Sequence, residues 1–122
     1  MAKILIVDDS KMLRDMLKYA LVDGGYSDVT EAVDGVDGLN KANGTHFDLI
    51  ITDINMPNMN GFELIEHLRA ISIYSTKPLL VLTTERSDEM KKKGKSVGAT
   101  GWIVKPFLPV QLLKAVNIVL SK

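Results

Sequence analysis

Ile4-Leu5-Ile6-Val7-Asp8-Asp9-Ser10 opens the chain with a short unbroken apolar run that stops on two adjacent acids. A strand covered on both faces shows no polar alternation, so this run reads as a buried strand of a parallel sheet. The pattern recurs at Leu49-Ile50-Ile51, which leads into Thr52-Asp53, and at Leu79-Leu80-Val81-Leu82, which leads into Thr83. Working outward, strands are expected at 3–7, 28–32, 48–52, 78–83 and 100–104, each ending in a polar or turn-prone residue. Helix-period segments fill the gaps: Lys11 to Leu21, Val36 to Ala42, Phe62 to Ile71, Asp88 to Val97, and a last one after Pro109. In the first, Met12, Leu13, Met16, Leu17, Ala20 and Leu21 are expected to form the apolar face, with Gly24-Gly25 ending the helix. In the last, that face falls to Val110, Leu113, Val116, Ile118 and Leu120.

Strands alternating with helices imply a parallel sheet covered on both sides through right-handed crossovers. The three apolar strands belong at its centre. Asp28-Val29-Thr30-Glu31-Ala32 is polar at alternate positions, and the fifth strand is short and opens on Thr100-Gly101, so these two suit the edges. The expected fold is α/β, a doubly wound, flavodoxin-like (βα)5 arrangement with strand order 2-1-3-4-5, although pattern alone leaves the order of the inner strands open to permutation.

With 122 residues, 46% of them hydrophobic, the chain is the size of one domain with one core, and a single domain over 1–122 without a separate output domain is expected. Lys plus Arg and Asp plus Glu are both 15, so no overall charge draws it to nucleic acid. The absence of cysteine excludes a disulfide framework, a thiolate metal site and a cysteine nucleophile. Met1-Ala2-Lys3 runs straight into an apolar stretch too short for a signal-peptide core, and no stretch approaches the ~20 apolar residues that span a bilayer. A cytoplasmic protein that does not engage membranes is expected.

In such a sheet the carboxyl ends of the strands share one edge, where ligands bind. The first strand delivers Asp8 and Asp9 there, the third Asp53, the fourth Thr83, and the fifth Lys105-Pro106. Adjacent strands lie about 4.8 Å apart, so Asp53 has the acidic pair one strand away on one side and Thr83 one strand away on the other. Lys105 starts two strands off, about 10 Å, and reaches the site if its stem leans inward. Carboxylates gathered this way repel, at about 4 kcal/mol for two charges 4 Å apart at an effective dielectric of 20. A hard divalent cation with oxygen ligands, Mg²⁺ rather than Ca²⁺, is the natural counter-charge, and Lys105 supplies a fixed one. A carboxylate is a nucleophile without a general base, so Asp53 beside Mg²⁺ could attack an activated phosphoryl group and form a labile acyl phosphate. Taken singly, each residue has a plainer use: Asp8-Asp9-Ser10 as a helix cap, Asp53 as a turn former ahead of Pro57 and Gly61, Thr83 as a strand residue, Lys105 as a solvated lysine.

The set Asp8-Asp9, Asp53 with Asn55-Met56-Pro57 and Gly61, Thr83, and Lys105-Pro106 closely resembles the response-regulator receiver domains of two-component systems, over essentially the whole chain. Thr83-Thr84-Glu85 and Gly98-Ala99-Thr100-Gly101 bring it nearest to the single-domain chemotaxis regulators of that family. The resemblance implies that Asp53 is the phosphoacceptor, taking phosphoryl from a sensor histidine kinase (CheA-like). It implies Mg²⁺ held by Asp9, Asp53 and the Asn55 backbone carbonyl, with Asp8 acting mainly through bound water. Lys105 would pair with the phosphoryl oxygens, and the peptide before Pro106 would be cis. Thr83 would swing inward to the phosphoryl group and couple to an aromatic residue on the fifth strand. That residue is Trp102, where well-known relatives carry Tyr, so a larger ring must find room; Thr84 stands where Ala is common and is expected to narrow access.

The message is expected to leave through the fourth helix and fifth strand. Lys91, Lys92 and Lys95 with Trp102 make the candidate partner surface, although lysines on such a helix are also consistent with a solvated face. Gly94, mid-helix, is expected to leave it pliable, and Trp102, the sole tryptophan, to change its burial on activation. Candidate partners are a flagellar motor switch protein or another phosphorylation-dependent target, and a phosphatase; the protein is expected to be a monomer that does not bind nucleic acid. Apart from catalysing its own phosphorylation and dephosphorylation it is not expected to be an enzyme. Motor control, a phosphate sink and a phosphorelay intermediate remain open as roles. A phosphatase of the haloacid-dehalogenase type would need an acid at the position of Asn55, and Gly-rich phosphate loops of nucleotide carriers are missing.

Overall fold

The computed structural model describes residues 1–121; Lys122, the last residue of the expected domain, lies outside the described residues. Five strands and five helices alternate: β1 (Ile4–Val7), α1 (Lys11–Asp23), β2 (Val29–Ala32), α2 (Gly35–Gly44), β3 (Leu49–Thr52), α3 (Gly61–Arg69), β4 (Leu79–Thr83), α4 (Asp88–Val97), β5 (Gly101–Val104) and α5 (Pro109–Leu120). A short 3-10 turn at Ser72–Tyr74 precedes β4. The strands form one parallel sheet in the order β2-β1-β3-β4-β5, which removes the permutations the pattern had allowed.

Side chains alternate across a strand, and here the alternation divides the core in two. Ile4, Ile6, Leu49, Ile51, Leu80 and Leu82 face Leu17 and Leu21 of α1 and Leu112 and Val116 of α5. Leu5, Val7, Ile50, Leu79 and Val81 face Phe62, Leu64, Ile65 and Leu68 of α3, with Met90 and Val97 of α4 packed at the margin. β1, β3 and β4 are buried throughout, whereas β5 is half-buried along its length and β2 everywhere but Ala32. Local signals fix the helix ends. Ser10, Asp34 and Ser87 accept a hydrogen bond from the third helical N–H, Asn60 and Glu63 form a reciprocal capping box, and Gly98 ends α4 at φ 111°.

Three expectations need correction. Met12 and Met16 are 68% and 51% exposed, Leu13 is half-buried, and the buried stripe of α1 is Arg14, Leu17, Ala20 and Leu21. A helix lying on a sheet buries one arc, and Met12, Met16 and Tyr19 share a neighbouring arc that points away. In α5, Val110 and Ile118 are exposed while Leu112 and Val116 are fully buried, so the stripe keeps Val116 but starts at Leu112, two residues beyond its expected start. Finally, α3 ends at Arg69, not Ile71. Its guanidinium donates to the carbonyls of Tyr74, Lys77 and Gly98, which draws the chain into the 3-10 turn and ties α3 to the end of α4. Among the described residues no helix is long and apolar enough to cross a membrane.

Candidate functional site

The carboxyl edge of the sheet gathers the expected acids and the lysine. Lys105, directly after β5, is 5% exposed, and its Nζ lies 2.7 Å from Asp8 Oδ2 and 2.9 Å from Asp53 Oδ2. Its four-carbon stem thus crosses the two-strand gap. Carboxylate oxygens of Asp8, Asp9 and Asp53 all lie within 4.8 Å of one another. Burial alone would lower the Lys105 pKa, but the hydrogen bonds and charges of Asp8 and Asp53 outweigh it and hold the group above its ordinary value. The ammonium therefore stays charged at neutral pH.

Three carboxylates against one ammonium leave an excess of negative charge. The donors are all oxygen, the open side is Asp9, which is exposed, and Asp53 keeps its side chain 12% exposed. The residues present therefore fit a hard divalent cation that retains water.

Each acid is fixed from its own element. Asp53 follows β3, donates its N–H to the Val7 carbonyl and accepts at Oδ1 from Ile54 N–H at 2.6 Å. Gly61 is required behind it: a Cβ there would lie 2.1 Å from the Asp53 carbonyl oxygen. Asp8 Oδ1 accepts from Ser10 N–H at 2.9 Å while Ser10 caps α1, so the acid and the helix cap are separate neighbours and not rival uses of one residue. Arg14, a buried cation on α1, donates to the Asp8 carbonyl at 2.6 Å and to Glu31 of β2 at 3.2 Å. The peptide before Pro106 is cis, as the resemblance implies.

A second group of residues surrounds Glu85. Thr83 is fully buried, and its Oγ1 accepts from Glu85 N–H at 3.3 Å rather than meeting Asp53. Trp102 donates from Nε1 to the Glu85 carbonyl at 2.9 Å, and the Asn55 side-chain amide donates to Glu85 Oε1 at 3.0 Å. Glu85 thus joins three of the expected site residues, a role that sequence reasoning did not assign because it is played mostly by the main chain. Arg14 was missed as well; a cation in the first helix of an acid-tipped strand was the available signal.

On the candidate partner surface Lys91, Lys92 and Lys95 are exposed. Lys91, Lys95, Ala99, Gly101 and Trp102 line a groove of about 350 Å³ between α4 and β5, which Lys92 does not reach. Lys93 turns the other way, its Nζ 4.6 Å from the Phe62 ring centre. Thr84 is exposed.

The response regulator receiver domain model matches residues 4–117. The chain is 37% identical over 120 residues to chemotaxis protein CheY1 of Helicobacter pylori, covering 98% of this chain and 97% of that one. It superimposes on chemotaxis response regulator CheY4 of Vibrio cholerae with a TM-score of 0.92 at 52% identity, covering 98% of both chains. The fold is also that of the receiver domain of the Pseudomonas aeruginosa sensor histidine kinase PA1611, a structure with a magnesium ion coordinated in its active-site cleft (TM-score 0.92, 22% identity, 99% of this chain and 98% of that one). A charged cleft built at the carboxyl edge of this sheet, and relatives matched nearly end to end, lead to one conclusion: the chain belongs to the response regulator receiver domain family.

Proposed function

We propose that this protein is a phospho-accepting switch of a two-component system, in which Asp53 takes phosphoryl from a phosphohistidine of a sensor kinase. The modified form then signals by binding a protein target in chemotaxis or flagellar motor control. The observation that carries this reading is the buried Lys105 ammonium clasped by Asp8 and Asp53, with Asp9 completing a set of acids within 4.8 Å. A carboxylate oxygen of Asp53 forms a bond to phosphorus as the P–N bond of the donor breaks, and the electron pair leaves on the imidazole nitrogen. Lys105 is already within hydrogen-bond distance of Asp53 and pairs with a phosphoryl oxygen at small displacement. Asp8, Asp9, Asp53 and the Asn55 carbonyl would hold Mg²⁺, which when bound supplies charge neutralisation for the phosphoryl oxygens.

The basic groove beside Trp102 supports a protein target over a pure phosphate sink or relay, and the chemotaxis relatives support the motor role. The test is incubation with acetyl phosphate and Mg²⁺ followed by intact mass. One labile phosphoryl adduct on wild type, none on Asp53→Asn and none with chelator are expected. Steady turnover of other phosphate esters without an adduct would place the chain with the phosphatases instead.

A further inference from the structure

Gly94 sits in the middle of α4 with ordinary helical backbone, where alanine would be the better helix former. Backbone conformation does not call for a glycine there. Space does: a Cβ at 94 would stand 2.5 Å from Trp102 Cζ3 and 2.8 Å from Cε3, well inside the roughly 3.5–4.0 Å at which carbon atoms pack. The indole is also stacked on Phe62, with ring centres 6.3 Å apart and 30° between planes, and donates from Nε1 to the Glu85 carbonyl. Trp102 is thus seated by a stacked ring, a carbonyl and a missing side chain. We propose that Gly94 is the positioning residue for Trp102: the gap it leaves in α4 is what admits the large ring to this seat and lets Nε1 reach Glu85.

The consequence runs toward the acids. The same Glu85 donates its N–H to Thr83 and accepts the Asn55 amide, so a ring pushed out at 94 releases one end of a chain of contacts that ends beside Asp53. This regulatory role rests on the proposed reading of Thr83 and Trp102 as the switch pair; the fit of ring to gap does not.

Emission and acrylamide quenching of Trp102, the sole tryptophan, together with thermal unfolding, test the inference. In Gly94→Ala, with far-UV circular dichroism retained, the emission is expected to shift to the red, quenching to increase and Tm to fall. In a Trp102→Ala background the same substitution is expected to raise Tm, because only helix propensity remains. The change in quenching on adding beryllofluoride and Mg²⁺ is expected to shrink in Gly94→Ala relative to wild type, which a merely structural role would not produce. Unchanged emission and quenching in Gly94→Ala, or a fall in Tm of equal size in both backgrounds, would overturn the inference. A wild type whose tryptophan ignores beryllofluoride while taking up label would sink the switch reading, and the Tm pair would still decide the role of Gly94.

Discussion

Two corners of one cleft are built from different materials. At the acid corner Lys105, Asp8 and Asp53 have side chains only 5%, 8% and 12% exposed and meet through charged hydrogen bonds of 2.7 and 2.9 Å. At the corner around Glu85 the partners are half-buried or exposed except for Thr83; two of the three bonds use the Glu85 main chain, and the third runs from the Asn55 amide to the Glu85 carboxylate at the surface, at 2.9 to 3.3 Å. A hydrogen bond to a charged group is worth about 1.5–3 kcal/mol and a neutral one about 0.5–1.5. The proposed chemistry would therefore have a stiff seat, while the contacts that would carry the signal can be exchanged for a few kcal/mol, the scale on which ligands shift populations.

The largest way to break this contrast is to remove the shared cation. Lys105→Met leaves Asp8 facing Asp53 with no counter-charge, and a loss of about 3–5 kcal/mol in unfolding free energy is expected by urea titration in the absence of Mg²⁺. Asp53→Asn removes a repelling charge and is expected to move stability the other way. Equal and small effects of both would mean that the acid corner is not the stiff one.

Tyr74 serves as a control away from both corners. It is fully buried, donates to the carbonyls of Ala42 and Thr45 and accepts from Phe47 N–H. Desolvation raises its pKa above 10.0 against the Phe47 hydrogen bond, with Asp48 adding to the rise. The folded state then holds the proton longer than the unfolded chain, so this contribution is complete below about pH 10 and is lost as pH climbs through the raised value. Tyr74→Phe is expected to cost about 2 kcal/mol, through the unpaired groups it leaves. It should also flatten the fall in stability above pH 10 seen by denaturant titration. Trp102→Phe should be the mildest change, about 1 kcal/mol for one hydrogen bond, with phosphoryl uptake retained.

Which strands are central and which edge carries the site followed from the same short apolar runs, because the last residue of a strand buried on both faces has only one edge to occupy; the order of the three inner strands did not follow from them. That is why Asp53 and even Lys105, two strands away, could be placed from sequence. Helix faces were less legible. Met12 and Met16 are apolar letters on a solvent arc, while Arg14 is a charged residue buried behind Asp8, and only packing against the sheet separates them. Glu85 acts largely through its own N–H and C=O, which every residue possesses, so no residue type announces it. The space that Gly94 leaves is visible only once Trp102 lies against it, because a residue without a side chain says nothing about what fills its place.

The link between the two corners is the central claim, and one recording tests it: Trp102 emission followed in the same sample whose intact mass tracks phosphoryl loading from acetyl phosphate and Mg²⁺. The account predicts a change in emission that grows in step with the adduct in wild type and is missing in Asp53→Asn. A full adduct under a flat emission trace would contradict it.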